Sequence, residues 1–314
     1  MHRILEGATA GDPMSSVKWC RKSTRMLAVA LSVSPTKAGH LMRAADFRLR
    51  VNRKRLSNRR SPDREAQFDH INALREDFLG NGQPVISVDA KKRELVGCFK
   101  NPGRTWRREP LDVNTYDFRS EAQGVAIPYG IYDVGRREGF VVVGTSHNTP
   151  AFAGHAVSQW WAHAGHRAYP LARKVLVLAD AGSSNGCHSH GWKLALQRLA
   201  QLSGLRVTVA HYPTGASKWN PVEHRLFSAI SNAWAGEPLV SYDAIKRFIR
   251  GTRTPSGARC RIRMDQRYWP TQKETKALAR EQGRRVHQPI LRIRHSRTLP
   301  HLNYTITPSA LGAT

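Results

Sequence analysis

Residues 174–179, Lys-Val-Leu-Val-Leu-Ala, form a continuous apolar run that ends abruptly in Asp180. A half-exposed strand alternates apolar and polar side chains, whereas an unbroken run of this length is the pattern of a strand buried on both faces. Such a strand needs a covering layer above and below it, which restricts the chain to a layered α/β architecture. The neighbouring segments supply the other parts. Val85-Ile86-Ser87-Val88 reads as a short strand ending in Asp89, with residues 94–99 as its hairpin partner and 139–145 as a third strand. Residues 151–164 follow as a helix and 192–202 as a second, with leucines at 194, 196, 199 and 202. A strand at 206–211 and a helix at 221–234 close the series.

Three antiparallel strands, then helix, strand, helix, strand, helix, is the order expected of an RNase H-like mixed sheet flanked by helices. A helix over 63–78 introduces this domain, which we place at 63–250. Before it, residues 1–18 lack an apolar period and read as a flexible lead-in. Residues 19–62 read as a helix-turn-helix DNA-binding segment and basic linker. There Ser23 or Thr24 caps a helix over 25–31, and Ser34-Pro35 opens another over 36–45 that carries Lys37, His40 and Arg43. A plain helical hairpin is the alternative. Residues 48–64 hold eight arginines and lysines and suit phosphate contact. Residues 251–314, basic and dotted with proline, read as an extended C-terminal segment with short local elements.

Charge selects the partner class. Fifty Lys and Arg against 23 Asp and Glu give a net charge of +27, which favours a polyanion, nucleic acid first. No apolar run approaches the length that spans a membrane, and the start does not build a signal peptide, so a cytoplasmic protein without a membrane partner is expected. Cys20, Cys98, Cys187 and Cys260 are far apart and form no C-x-x-C pair, which argues for reduced thiols and against a zinc ribbon. Cys187-His188-Ser189-His190 reads as a polar helix start in preference to a metal site.

Two-metal phosphoryl transfer needs carboxylates that converge from distant parts of the chain, because hard oxygen ligands hold Mg²⁺ or Mn²⁺. Asp89 and Asp180 each end a strand, and Pro221 places Glu223 in the first turn of a helix, where the dipole favours an anion. Alone, each acid has a plain reading: a turn cap, an Asx-turn, a helix-start charge. Together, at strand end, strand end and helix start, they read as one catalytic set. Asn185, His211, His224, Lys91, Lys92, Lys218 and Arg225 are secondary candidates for water, proton or phosphate contacts, and Trp219 for packing on the sheet.

The strings Pro-Val-Ile-Ser-Val-Asp-Ala-Lys-Lys (84–92), Ala-Ile-Pro-Tyr-Gly-Ile-Tyr-Asp (126–133), Ala-Asp-Ala-Gly-Ser-Ser-Asn-Gly (179–186) and Ser-Lys-Trp-Asn-Pro-Val-Glu-His-Arg-Leu-Phe (217–227) resemble the Rhodopirellula-type insertion-sequence transposases. So do residues 192–199 and the closing Asn303-Tyr304-Thr305-Ile306. The resemblance spans about residues 19–306. It implies an RNase H-like DDE transposase with two divalent ions on Asp89, Asp180 and Glu223. It also implies cleavage and joining at the terminal inverted repeats of an element, and assembly as a homo-oligomer on double-stranded DNA. Relatives carry further N-terminal helices ahead of the point where this chain begins, so a shortened end-recognition region is expected. A same-fold nuclease that does not join, and a DNA-binding remnant that no longer cuts, are the competing functions.

Overall fold

The computed structural model describes residues 9–11, 18–20, 23–48, 63–216, 219–254, 256–281 and 291–308. The chain forms two compact units, Met1–Leu56 and Ser57–Thr314.

In the first unit, β1 (Thr9–Gly11), within the expected lead-in, pairs antiparallel with β2 (Lys18–Cys20) at its end, as strands too short to leave a pattern. Helices α1 (Thr24–Leu31) and α2 (Pro35–Ala44) follow. The Oγ of Ser23 accepts from the Met26 N–H and that of Ser34 from the Lys37 N–H, so each helix has the serine cap its sequence promised. Leu27, Ala28 and Ala38 are buried between the two helices, with Leu31 and Met42 packed alongside. Most of the basic run at 48–64 lies outside the described residues.

The second unit opens with α3 (Arg64–Gly80), then β3 (Val85–Ala90), β4 (Glu94–Val96), β5 (Gly124–Asp133) and β6 (Glu138–Gly144). Next come α4 (Pro150–Trp160), prolonged by a π-helical turn Trp161–Gly165, then β7 (Lys174–Asp180), α5 (His190–Ser203) and β8 (Arg206–Tyr212). A π-helical turn Glu223–Phe227 leads into α6 (Ser228–Ala233), followed by α7 (Tyr242–Gly251), β9 (Arg261–Asp265), α8 (Gln272–Glu281), β10 (Ile293–His295) and β11 (Asn303–Ile306).

The strands form one sheet in the order β10-β11-β8-β7-β3-β5-β6-β9, with β4 on β5. β3, β5 and β6 are antiparallel neighbours, and β3, β7 and β8 run parallel. This is the RNase H-like arrangement. Alternate residues of the strands face opposite layers. Ile86, Val88, Val177 and Val209 pack under α4 and α5 with Phe152, Trp192 and Leu196. Val85, Leu176 and Leu178 pack under α3, and Val141 and Val143 under α6 and α7. Each such fully buried aliphatic side chain contributes about 1.5–3 kcal/mol, and β7 carries four of them in a row, as its apolar run requires.

Two expectations are corrected. The segment at 94–99 is not the partner of β3; its first three residues pair with β5, and β5 itself is the antiparallel neighbour of β3. Pro128 and Gly130 disguise β5 as a turn. The strand tolerates the proline because Pro128 points its carbonyl at the Lys91 N–H, just beyond the end of β3, so its missing N–H leaves the β6 ladder intact. Nor is 251–314 an extended tail: β9 joins β6 and β11 joins β8 within the sheet. These strands have four or five residues, and arginine fills the outward positions of β9 alone, so their period of two is short and easily missed. Among the described residues no helix is long and apolar enough to cross a membrane.

Candidate active site

Val88 is in register with Ala179, so Asp89 and Asp180 leave adjacent parallel strands side by side. Both lie on the α3/α6 face of the sheet, one residue beyond side chains that belong to the opposite core. Gly130 sits directly across from Asp89 on β5. A Cβ there would be 2.4 Å from Cε1 of Phe227 and 3.0 Å from Cγ2 of Val222. The absent side chain is therefore what lets the π-helical turn that begins at Glu223 descend onto the sheet beside Asp89. Single π turns of this kind recur where a helix must aim a functional side chain. We expect Gly130→Ala to lift this turn, lower stability by about 1–3 kcal/mol and reduce activity more than its stability loss explains; thermal melting and a cleavage assay on one preparation would check it.

The electrostatics tie the acids together. Asp89 is buried, and its carboxyl is pushed up to about 8 by burial, then by the charge of Asp180, with the Glu223 charge and a hydrogen bond to the Glu223 carboxyl adding to the effect. Asp180 is raised too, first by burial and then by Glu223, against a hydrogen bond from Asn220 that favours its charged form. Like charges at these positions disfavour one another without a cation, and a donor set of carboxylate oxygen is the chemistry that suits Mg²⁺ or Mn²⁺. Among the described residues no three His, Cys, Asp or Glu side chains stand together at metal-holding distances.

Asn220 and Ser87, to which sequence reasoning gave no role, join the three elements. The Asn220 Nδ2 donates to Asp180 Oδ1 at 3.1 Å and lies 3.4 Å from the Val88 carbonyl oxygen. The Ser87 hydroxyl donates to Asn220 Oδ1 and accepts from the Val222 N–H at 2.9 Å. Both residues are fully buried. The signal that could have found Ser87 is a lone hydroxyl in an apolar strand two residues before Asp89.

The secondary candidates separate. His211 is buried, and burial pushes its imidazole down to about 4, so it is neutral. Its Nδ1 lies 2.9 Å from the Asp180 carbonyl oxygen, which can only accept; Nε2 must then accept from the Tyr304 hydroxyl at 3.1 Å. His211 thus fixes the end of β7 and has no path to carry protons. Lys91 pairs with Glu94 at 2.6 Å and lies 4.9 Å from the Trp234 ring centre. Lys92, His224 and Arg225 are exposed, and Lys218 lies outside the described residues. Asn185 is buried with its Nδ2 unpartnered. Trp219 meets Phe68 edge-on at 6.0 Å and stays half exposed. In the Cys187–His190 stretch, Ser189 caps α5 through the Trp192 N–H, and Cys98, Cys187 and Cys260 are free thiols.

Comparison with known proteins gives a family match. The family model described as the Rhodopirellula transposase DDE domain matches residues 1–308. No curated protein matches the sequence significantly. Among solved structures, the Mos1 transposase paired-end complex with the left transposon end is 17% identical, with 73% of this chain and 65% of that chain covered at a TM-score of 0.47. The Mos1 strand transfer complex is 15% identical, with 73% and 64% covered at 0.46. The chain thus spans slightly less than two thirds of those Mos1 chains. Their TM-scores add nothing to the assignment, which rests on a family model that accounts for nearly the whole sequence: the chain belongs to the Rhodopirellula transposase DDE-domain family.

Proposed function

We propose that this family member cleaves DNA at the ends of an insertion sequence and joins the freed ends to target DNA, using Asp89, Asp180 and Glu223 with two Mg²⁺ or Mn²⁺ ions. The observation that supports the reading is the placement of these acids at one end of the sheet: Asp89 and Asp180 leave register-matched parallel strands, and the π turn that begins at Glu223 is seated over Gly130, directly across from Asp89. When bound, such ions polarise phosphate oxygens and ease the deprotonation of water at the site. The protein's own contribution is positional. Asp89 and Asp180 would offer oxygens from the sheet, Glu223 would offer its own from the turn above Gly130, and the Asn220 amide favours the charged form of Asp180 and aims it. Low exposure of Asp89 limits competition from bulk water.

The α1–α2 unit would bind the terminal inverted repeats, as a helix-turn-helix does, and the charge of +27 would hold the flanking and target duplexes. We place the activity in the cytoplasm, on a homo-oligomer assembled on DNA. The test uses the full chain, a labelled duplex carrying the inverted repeats that flank its reading frame, and an unlabelled target duplex, with and without Mg²⁺. Metal-dependent nicking followed by labelled joined product is the expected result. Nicking without joining would replace this reading with a nuclease, and binding without nicking would replace it with a DNA-binding remnant.

A further inference from the structure

On the α3 side of the sheet, α3 covers β3, β7 and the end of β8, where Leu176, Leu178, Ala210 and Tyr212 pack against Ile71 and Phe78. Beyond it, no helix among the described residues covers β8, β11 and β10 on that side. The registers Thr208↔Thr305 and Arg294↔Thr305 put these three residues on one face, with Arg206 two residues before Thr208 on the same face. The opposite face of the same strands holds Val207, Val209, Tyr304 and Ile306 in the core. The result is a groove of about 410 Å³, floored by hydroxyls and arginines and walled by α3.

Its chemistry is one-sided. No acid lines it. Lys174, at its rim, is already occupied by Asp77 at 2.8 Å and by the ring of Phe78. Arg206 and Arg294 are exposed, and neither forms an ion pair among the described residues. Thr208 and Thr305 share a hydroxyl hydrogen bond of 3.0 Å between them, which leaves one hydroxyl proton free to turn outward. Leu74 and Phe78 of α3 and the ring of Tyr304 supply the apolar part of the wall, and the forked guanidinium donors beside hydroxyls, with no acid among them, suit phosphate oxygens.

We propose that this groove is a second DNA contact, a track for the sugar–phosphate backbone of a duplex, separate from the carboxylate site. The inference rests on the transposase reading above. Arg206 begins β8 and Asp180 ends the adjacent β7, so the groove and the acids lie about 20 Å apart along the strands, the length of about six base pairs. The contact is therefore to flanking or target duplex and not to the reacting phosphate, and it carries no sequence preference.

The test is duplex affinity against salt for the full chain and for Arg206→Ala/Arg294→Ala, on a duplex of random sequence without Mg²⁺. Loss of two phosphate contacts should reduce the slope of log affinity against log salt by about 1.8, so between about 50 and 200 mM salt the wild type should lose about 12-fold more affinity than the variant. Because both side chains are exposed, the melting temperature should not change. An unchanged slope, or a change seen with single-stranded but not duplex DNA, would overturn the groove while leaving the transposase reading in place. Failure of the wild type itself to bind duplex would count against that reading.

Discussion

Conversion of Asp89 or Asp180 to Asn, or of Glu223 to Gln, is expected to lower DNA cleavage and joining by about 10³-fold or more while the protein keeps its fold. The two halves of that expectation have a single cause. Burial makes a charged Asp89 costly, and without a cation the neighbouring Asp180 and Glu223 carboxylates add to that cost. Folding forces this carboxyl to take up a proton that it would lose in the unfolded chain at neutral pH, and an amide is spared that cost, so Asp89→Asn should melt at or above the wild-type temperature when divalent ions are chelated. Most substitutions at a buried polar position do the opposite. With Mg²⁺ at about a hundredfold over its dissociation constant, the wild type should gain about 2.7 kcal/mol, and the variant should gain little. Paired melting curves with Mg²⁺ and with chelator, beside nicking assays, measure both. A variant that keeps full activity would remove that acid from the mechanism. One that melts several degrees lower under chelation would show the acid to be structural.

The parts legible in the sequence are those with a strong local cause. The apolar run of β7 places Asp180 at a strand end whatever surrounds it, and Pro221 fixes the entry to the helix that bears Glu223. The caps at Ser23, Ser34 and Ser189 act over three residues and leave a readable trace. What escaped was set by distant partners. β5 carries Pro128 and Gly130, both strand-breaking in isolation, and both are permitted by their neighbours: one faces the end of β3, the other lies under Phe227. β9 and β11 are short strands whose pairing is decided by the edges they meet at β6 and β8, and β10 pairs in turn with β11. His211 looked like a chemical group and is a buried strut, because nothing in Ala-His-Tyr reveals that Tyr304, 93 residues later, closes over it. Two of the three acids therefore announce themselves locally. Asp89 does so less, since its strand is four apolar-patterned residues interrupted by Ser87, and that interruption is the clue to how the site is held.

The Ser87–Asn220 pair leads to the second large effect. One hydroxyl and one amide bind the strand before Asp89, the carboxylate of Asp180 and the backbone just ahead of Glu223. Asn220→Ala leaves the Ser87 hydroxyl and the Asp180 carboxylate each short of a partner in a buried setting, which should cost about 1–3 kcal/mol of stability. Activity should fall about 10–100-fold, the usual consequence of losing a residue that orients a metal-binding carboxylate. Stability and function can be separated by Asn220→Asp. This change keeps the shape and the acceptor for Ser87, but it replaces the N–H that faces Asp180 with an oxygen. It adds a fourth negative charge to an already crowded set, so its activity should fall below that of Asn220→Ala. A residue needed only for packing would rank the two the other way. For Asn220→Ala, the Mg²⁺ concentration giving half-maximal cleavage should rise, and excess Mg²⁺ should restore part of the rate. A lower rate that Mg²⁺ does not change would show that Asn220 supports the fold and does not aim Asp180.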